Sequence, residues 1–99
     1  MARSEPKFSP DAVRQLKKLK AFDQRAVLDG VRRQLVDADP AEKTRNKFRL
    51  RRKSGVADFE LRLGALRVFY RLTDGDVIIT VIGVNAREKL LVEGKEFEI

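Results

Sequence analysis

The alternation of apolar and polar residues is most regular between Phe59 and Val84, where it predicts three consecutive antiparallel β-strands. Two glycine-containing pairs divide this segment into hairpins. Gly64 with Ala65 suits a type II′ turn, and Asp74 with Gly75 suits a type I′ turn. Because a two-residue turn sets the pairing of the strands that it joins, the two turns predict the register of the whole segment.

This register sorts the side chains onto two faces, since successive residues of a strand point to opposite sides. In the second hairpin it pairs Phe69 with Thr80 and Arg67 with Ile82. The face predicted to form the core collects Phe59, Leu61, Leu63, Leu66, Val68, Tyr70, Leu72, Val77, Ile79 and Val81. The other face, called here the arginine face, collects Asp58, Glu60, Arg62, Arg67, Phe69, Arg71, Ile78, Thr80 and Ile82.

The residues before this segment predict two helices joined as an αα-hairpin. Ser9, Pro10 and Asp11 supply an N-cap, a proline at the first helical position and an acid in the first turn. Asp23 is predicted to cap the second helix. Gly30 lies inside that helix, where glycine is unfavourable, and it therefore indicates a close packing contact.

Further strands are predicted on both sides of this hairpin of helices. Residues 5–8 suit a short first strand, and Phe48 and Leu50 alternate with basic residues in the manner of another. The tail beyond Lys89 either pairs as an edge strand or frays. The predicted fold for residues 1–99 is a single α+β domain, with the αα-hairpin packed on one face of a twisted, mainly antiparallel sheet of four to five strands.

The composition limits the chemistry that the chain can perform. It contains no cysteine and no histidine, which removes disulfides, thiolate catalysis, thiolate metal sites and the usual acid–base group at neutral pH. We expect no metal and no cofactor. The sequence contains no apolar run of the length needed to span a membrane, and its beginning does not resemble a signal peptide, so a cytoplasmic protein is expected.

Basic residues outnumber acidic ones by 22 to 15, and their positions favour a polyanionic partner. The segment from Lys43 to Lys53 is the most basic, with seven cations among its eleven residues and no acid. The alternative for such a segment is an ordinary solvated surface. The residues predicted to bind RNA or phosphate are Lys47, Arg49, Arg51, Arg52 and Lys53, together with Arg62, Arg71 and Phe69 of the arginine face, where Phe69 is placed to stack a base.

The order of these features resembles the RelE/ParE toxin superfamily. An αα-hairpin and a basic strand precede Glu60-Leu61-Arg62-Leu63-Gly64-Ala65-Leu66-Arg67-Val68-Phe69-Tyr70, and a hydrophobic strand then ends before Arg87-Glu88. The resemblance, closest to the RelE-like branch, implies the toxin of a type II toxin–antitoxin pair. RelE-like members cleave mRNA in the ribosomal A site, whereas ParE-like members poison DNA gyrase. A nucleic-acid-binding relative without catalytic activity is a third reading.

The resemblance also implies partners. They are a cognate antitoxin protein, the ribosome and mRNA, together with a toxin–antitoxin hetero-oligomer that binds operator DNA through the antitoxin. An antitoxin segment that folds on binding would use apolar anchors on the toxin. The predicted anchors are Phe69, Ile78, Ile82 and the apolar stripes of the helices.

Catalytic residues are carried over by position. The signature arginine of the nucleases matches Arg67, and a second arginine matches Arg87. Their catalytic lysines are replaced here by Asp58 and Glu60, and their tyrosine position falls near Glu93. The chain therefore departs from the nuclease pattern in its acid–base groups.

RNA cleavage through the 2′-hydroxyl needs a base, a cation for the phosphate and an acid for the leaving oxygen. We assign the cationic role to Arg67 and Arg87, the base to Glu60 and the acid to Lys89. The alternative for Glu60 is a structural ion pair with the neighbouring Arg62.

Overall fold

The computed structural model describes residues 5–99, which form two helices, a π-helical turn and seven strands. Six strands of the sheet lie side by side in the order β2-β3-β4-β5-β6-β7, and β1 pairs in parallel with β5. The predicted α+β class is confirmed, with a larger sheet than predicted because the C-terminal tail forms two further strands. The elements are β1 (Lys7–Phe8), α1 (Pro10–Lys17), α2 (Ala21–Val31), the π-helical turn (Arg32–Val36), β2 (Lys47–Arg49), β3 (Phe59–Leu63), β4 (Leu66–Thr73), β5 (Asp76–Ala86), β6 (Lys89–Val92) and β7 (Lys95–Glu96).

Helix α1 begins as its sequence predicts. Ser9 is the N-cap, and its hydroxyl accepts a hydrogen bond from the Ala12 amide at 3.1 Å. Gln15 is buried on this helix although its side chain is polar, because its Oε1 accepts a hydrogen bond of 2.8 Å from the Ile82 amide. Helix α1 therefore supplies a hydrogen-bond acceptor for one backbone amide of β5. That amide lies between the part of β5 that pairs with β1 and the part that pairs with β6.

Helix α2 differs from the prediction at its start and agrees with it at its end. The N-cap is Lys20, so the prediction that Asp23 caps the helix is wrong, and Asp23 lies in the first turn. The predicted close contact at Gly30 is confirmed, since a Cβ there would lie 2.5 Å from Leu63 Cδ1. Glycine thus lets the helix approach the β3–β4 hairpin.

The first predicted hairpin is confirmed, while the second is correct only near its turn. Leu63 pairs with Leu66, and Tyr70 pairs with Ile79 as expected. A β-bulge then shifts the register, so that Phe69 pairs with Val81 instead of Thr80. The shift also pairs Arg67 with Gly83, and the predicted pairing of Arg67 with Ile82 is wrong.

The bulge exchanges two residues between the faces of the sheet. Ile82, predicted for the arginine face, is 1% exposed in the core beneath the helices. Val81, predicted for that core, packs with Phe69 on the opposite face. The side chain of Thr80 donates a hydrogen bond of 3.3 Å to Phe69 O beside the bulge.

The sheet is covered on both faces. Helices α1 and α2 cover one face, where Val27, Leu35 and Leu61 belong to the main core. On the other face, a second apolar cluster is covered by the loop before β3 and by the C-terminal strands. Its buried members are Ala57, Phe69, Val81 and Val92, against which Leu50, Val56, Leu90, Phe97 and Ile99 pack. In residues 5–99, no helix is long and apolar enough to cross a membrane.

Candidate functional site

The arginine face opens in a cleft of about 320 Å³ beside Glu60, called here the Glu60 cleft. Strands β3 and β4 bring Glu60 next to Arg62 and Arg67, and the C-terminal residues close the other side. The cleft combines charged groups with an apolar wall. It is lined by Leu50, Glu60, Arg62, Arg67, Phe69, Asn85, Glu88, Leu90, Phe97 and Ile99.

Glu60 lies between two guanidinium groups. Its Oε2 is 2.8 Å from Arg62 Nε and 3.6 Å from Arg67 Nε. Arg62 and Arg67 are direct cross-strand partners, an arrangement in which like charges repel. The carboxylate offsets that repulsion, so the structural ion pair considered for Glu60 is present in the structure.

The Arg67 guanidinium is bonded largely to its own hairpin. Its side chain is 13% exposed, and Nη1 donates to Gly64 O at 2.6 Å and to Leu66 O at 3.0 Å. Burial lowers the pKa of Arg67, and the charge of Arg62 lowers that pKa further, while Glu60 raises it. Arginine keeps its charge even so, and Arg67 therefore places a partly desolvated cation in the cleft.

The other two predicted catalytic residues lie outside the Glu60 cleft. Arg87 and Glu88 form the left-handed turn between β5 and β6, with φ angles of +52° and +66°, and Arg87 is exposed. Lys89 Nζ lies 3.9 Å from Glu96 Oε1 on the neighbouring strand. The structure thus brings Glu60 and Arg67 together, and it does not bring Arg87 or Lys89 into the same cleft.

Asn85 and Glu88 line the cleft without having been predicted from the sequence. They lie around the β5–β6 turn, where Asn85 pairs with Leu90. In the sequence, the apolar pair Leu90 and Leu91 after Lys89 is the indication of this hairpin. That signal identifies a strand only once the tail is known to return along β5.

Lys47 was predicted to bind phosphate, and its position in the structure contradicts this. It is 1% exposed, and its ammonium donates to Gln34 O at 2.8 Å and to Asp39 O at 2.7 Å. Tyr70 acts nearby in the same way, because its hydroxyl donates to Pro40 O at 2.6 Å. Burial raises the pKa of Tyr70, and the charge of Asp39 raises it further.

Two residues of the arginine face also differ from their predicted roles. The Arg71 guanidinium donates to Val56 O at 3.2 Å and to Gly55 O at 2.5 Å, so it holds the loop before β3 instead of facing a phosphate. Phe69 is 3% exposed in the second apolar cluster, so its ring is closed to the predicted base stacking. Both residues hold in place the segments that cover this face of the sheet, Arg71 through the loop before β3 and Phe69 through the second apolar cluster.

The remaining predicted phosphate-binding residues of the basic segment, Arg49, Arg51, Arg52 and Lys53, are exposed. Two of them, Arg49 and Arg51, line a second, larger depression. This β2 groove has a volume of about 660 Å³ and lies along the edge strand β2. It shares Arg62 with the Glu60 cleft. It is lined by Ala41, Lys43, Thr44, Arg45, Phe48, Arg49, Leu50, Arg51 and Arg62.

No cluster of three or more potential metal-ligating Asp, Glu, His or Cys side chains lies within residues 5–99. The groups that converge in the cleft and the groove are mainly guanidinium and ammonium cations, with Glu60 and Glu88 as acids. Such groups bind anions. The arrangement therefore suits carboxylates or phosphates of a partner.

Comparison with known proteins gives a family and a structural relative. The family model described as "ParE toxin of type II toxin-antitoxin system, parDE" matches residues 7–91. Among solved structures, the toxin–antitoxin complex RelBE2 from Mycobacterium tuberculosis contains a similar chain, 28% identical with a TM-score of 0.60. The alignment covers 83% of this chain and 96% of that chain. No curated protein matches.

Proposed function

This chain belongs to the ParE toxin family of type II toxin–antitoxin systems, and from that premise we propose that it inhibits growth by binding DNA gyrase without cleaving RNA. Its predicted membership of the RelE/ParE superfamily is confirmed. The choice between the two activities rests on one observation. The residues assigned to RNA cleavage are divided between the Glu60 cleft and the β5–β6 hairpin.

The contacts within the cleft support binding over hydrolysis. Glu60 Oε2 faces two guanidiniums, and Arg67 Nη1 is bonded to carbonyl oxygens of its own hairpin. The proposed acid, Lys89, is paired with Glu96. General acid–base catalysis requires groups within hydrogen-bond reach of the reacting atoms, and this distribution disfavours it.

We infer that a cognate antitoxin holds the toxin inactive, as supported by the family and by the similarity to a toxin–antitoxin complex. Two of the predicted anchors, Phe69 and Ile82, are buried and do not serve this role. Exposed apolar side chains of α2 do suit it, since Phe22 is 81% exposed and Leu28 is 49% exposed. Binding of operator DNA then belongs to the antitoxin part of the complex.

Ribosome-dependent mRNA cleavage, which the sequence favoured, is the second candidate. Its support is the pairing of a carboxylate with a partly desolvated guanidinium, since Glu60 and Arg67 share one cleft with Arg62. In that case the ribosome or the RNA supplies the missing acid. The two candidates make opposite predictions for a substitution at Glu60.

Glu60→Gln keeps the shape of the side chain and removes its charge. If the protein binds gyrase, purified toxin traps gyrase–DNA cleavage complexes, mRNA in a translating extract stays intact, and the variant changes trapping by only a few-fold. If Glu60 is a catalytic base, primer extension detects cuts in ribosome-bound mRNA, and the variant lowers cutting by about 10²–10⁴-fold. The second result overturns the gyrase proposal.

The control for this experiment is Arg33→Ala, which removes an exposed ion pair with Asp29 and alters no residue that lines the Glu60 cleft or the β2 groove. Circular dichroism of each variant verifies that it is folded. A Glu60→Gln effect that Arg33→Ala reproduces reflects general damage to the protein. An effect confined to Glu60 identifies the cleft as the active surface.

A further inference from the structure

The β2 groove combines cations with an apolar floor. Phe48 of β2 and Leu50, which follows that strand, line it. The cations come from the segment before β2, from β2 itself, from the residue after Leu50 and from β3. The volume of about 660 Å³ lies within the usual range of ligand-binding pockets, roughly 300–1,000 Å³. Apolar floors beneath a rim of cations are typical of surfaces that bind both the bases and the backbone of a nucleic acid strand.

Three cations of this groove differ from the arginines of the Glu60 cleft in having no polar partner for their side chains within residues 5–99. Within the described chain, Lys43, Arg45 and Arg51 make no ion pair or side-chain hydrogen bond. Arg62 and Arg67, by contrast, are held by Glu60. Clustered cations without acids repel one another, so a polyanion is the ligand whose binding offsets this repulsion.

Arg62 provides a flat surface at the boundary between the groove and the cleft. Its Cζ lies 5.0 Å from the centre of the Phe48 ring, and its Nε is fixed by Glu60 at 2.8 Å. The side chain is still 48% exposed. A guanidinium stacked on a ring on one side presents its other side to a nucleobase, and this contact tolerates any base sequence.

We propose that the β2 groove binds a single-stranded polynucleotide, with phosphates on Lys43, Arg45 and Arg51 and a base stacked on Arg62. A duplex fits less well, because its bases are paired and cannot lie on the floor of Phe48 and Leu50. This site is additional to the gyrase target proposed above and does not depend on it.

An acidic protein segment added to the sheet edge is the main competitor. Strand addition needs outward-facing backbone groups on β2, and at Lys47 these groups are already used. The Thr44 amide donates to Lys47 O at 2.8 Å, and the Lys47 amide donates to Thr44 O at 3.4 Å. The edge is therefore partly closed to a partner strand, and the side chains of the groove remain the recognition surface.

The proposal is tested by fluorescence anisotropy with labelled oligo-dT and oligo-U of about 12 nucleotides, within the usual site sizes of single-strand binders. Arg45→Glu combined with Arg51→Glu is expected to weaken binding at least tenfold. Because each phosphate contact to a single strand contributes about 0.7 to the slope of log K against log salt, the double variant also lowers that slope by about 1.4.

The matched control reverses two exposed charges on the helices, Lys17→Glu with Arg25→Glu, and alters the net charge equally. It is expected to change affinity less than threefold. Preference for oligo-dT over oligo-U assigns the strand to DNA, and the reverse preference assigns it to RNA.

Three results overturn the proposal. They are an equal loss in the control, tighter binding of a duplex of the same length, and binding of poly-glutamate with no binding of either oligonucleotide. The readout is a binding constant, so failure here leaves the gyrase assay interpretable, and failure of the gyrase assay leaves this one interpretable.

Discussion

Lys47 and Lys43 belong to one basic segment and have opposite surroundings. Lys47 is buried, with its ammonium bonded to Gln34 O and Asp39 O, whereas Lys43 is exposed on the rim of the β2 groove. Charge density alone does not separate them. What separates them is their place in the fold, because Lys47 lies in β2 and its side chain reaches the carbonyls of Gln34 and Asp39, whereas Lys43 lies in the segment before that strand.

The same contrast extends to the arginines. Arg67 and Arg71 bond to backbone carbonyls of turns and loops, whereas Arg45 and Arg51 have no such partner within the described chain. A cation that satisfies buried carbonyls stabilises the fold. A cation without a partner contributes little to stability, and its effect appears when a ligand binds. Substitutions should therefore divide into two classes.

The largest effect is expected at Lys47. Lys47→Met keeps the volume and removes the ammonium that donates to Gln34 O and Asp39 O, although the Glu42 amide still donates to Asp39 O at 3.2 Å. This loss should lower the free energy of unfolding by about 2 kcal/mol. Guanidinium denaturation measures this value. Lys43→Met is the matched control and should stay within about 0.5 kcal/mol of the wild type. Similar values for the two variants would show that burial does not distinguish these lysines.

A smaller, pH-dependent effect is expected at Tyr70. Its pKa is raised in the folded protein, so the folded chain retains a proton that the unfolded chain releases above about pH 10. Stability is therefore complete below about pH 10 and falls above it, by at most about 1.4 kcal/mol per pH unit from this group.

Tyr70 is the only tyrosine and the chain has no tryptophan, so absorbance of the phenolate near 295 nm reports this residue alone. In the folded protein, ionisation should occur above the ordinary range. Tyr70→Phe should lower stability by about 1 kcal/mol at neutral pH, because Pro40 O loses its donor, and should remove this contribution to the alkaline slope. Ionisation near pH 10 in the folded state would contradict the buried position.

The smallest effect is expected at Arg71. Arg71→Met removes the hydrogen bonds to Val56 O and Gly55 O and should lower stability by about 0.5 kcal/mol, since this site is partly exposed. Faster amide exchange in the loop before β3 provides a second measurement. Arg52→Met, in the exposed part of the basic segment, should change neither quantity.

Local patterns predicted the first hairpin fully. Gly64 and the alternation around it determine the pairing of Leu63 with Leu66, and no distant residue is required. The second hairpin depends on distant contacts. Its bulge lies where Ser9 and Gln15 of the α1 region bond to β5, at Thr80 O and at the Ile82 amide. A register predicted by counting residues outward from the turn at Asp74 takes no account of these bonds, so it misses the bulge.

The candidate site shows the same division. The sequence predicted that Glu60, Arg62 and Arg67 share one face, because hairpin pairing is local, and the structure places all three in one cleft. The contributions of Asn85 and Glu88 to the cleft were not predicted, since they depend on the return of β6 along β5.

By itself, the sequence determined the order of the two helices and of the strands up to β5, the first hairpin, the cap of α1 and the excess of basic charge. Each depends on residues a few positions apart. Only the tertiary structure decided which cations remain free, because carbonyls far along the chain bind some of them. Lys47 meets Gln34 O and Lys43 does not, and that difference exists only after α2, the π-helical turn and β2 have packed together.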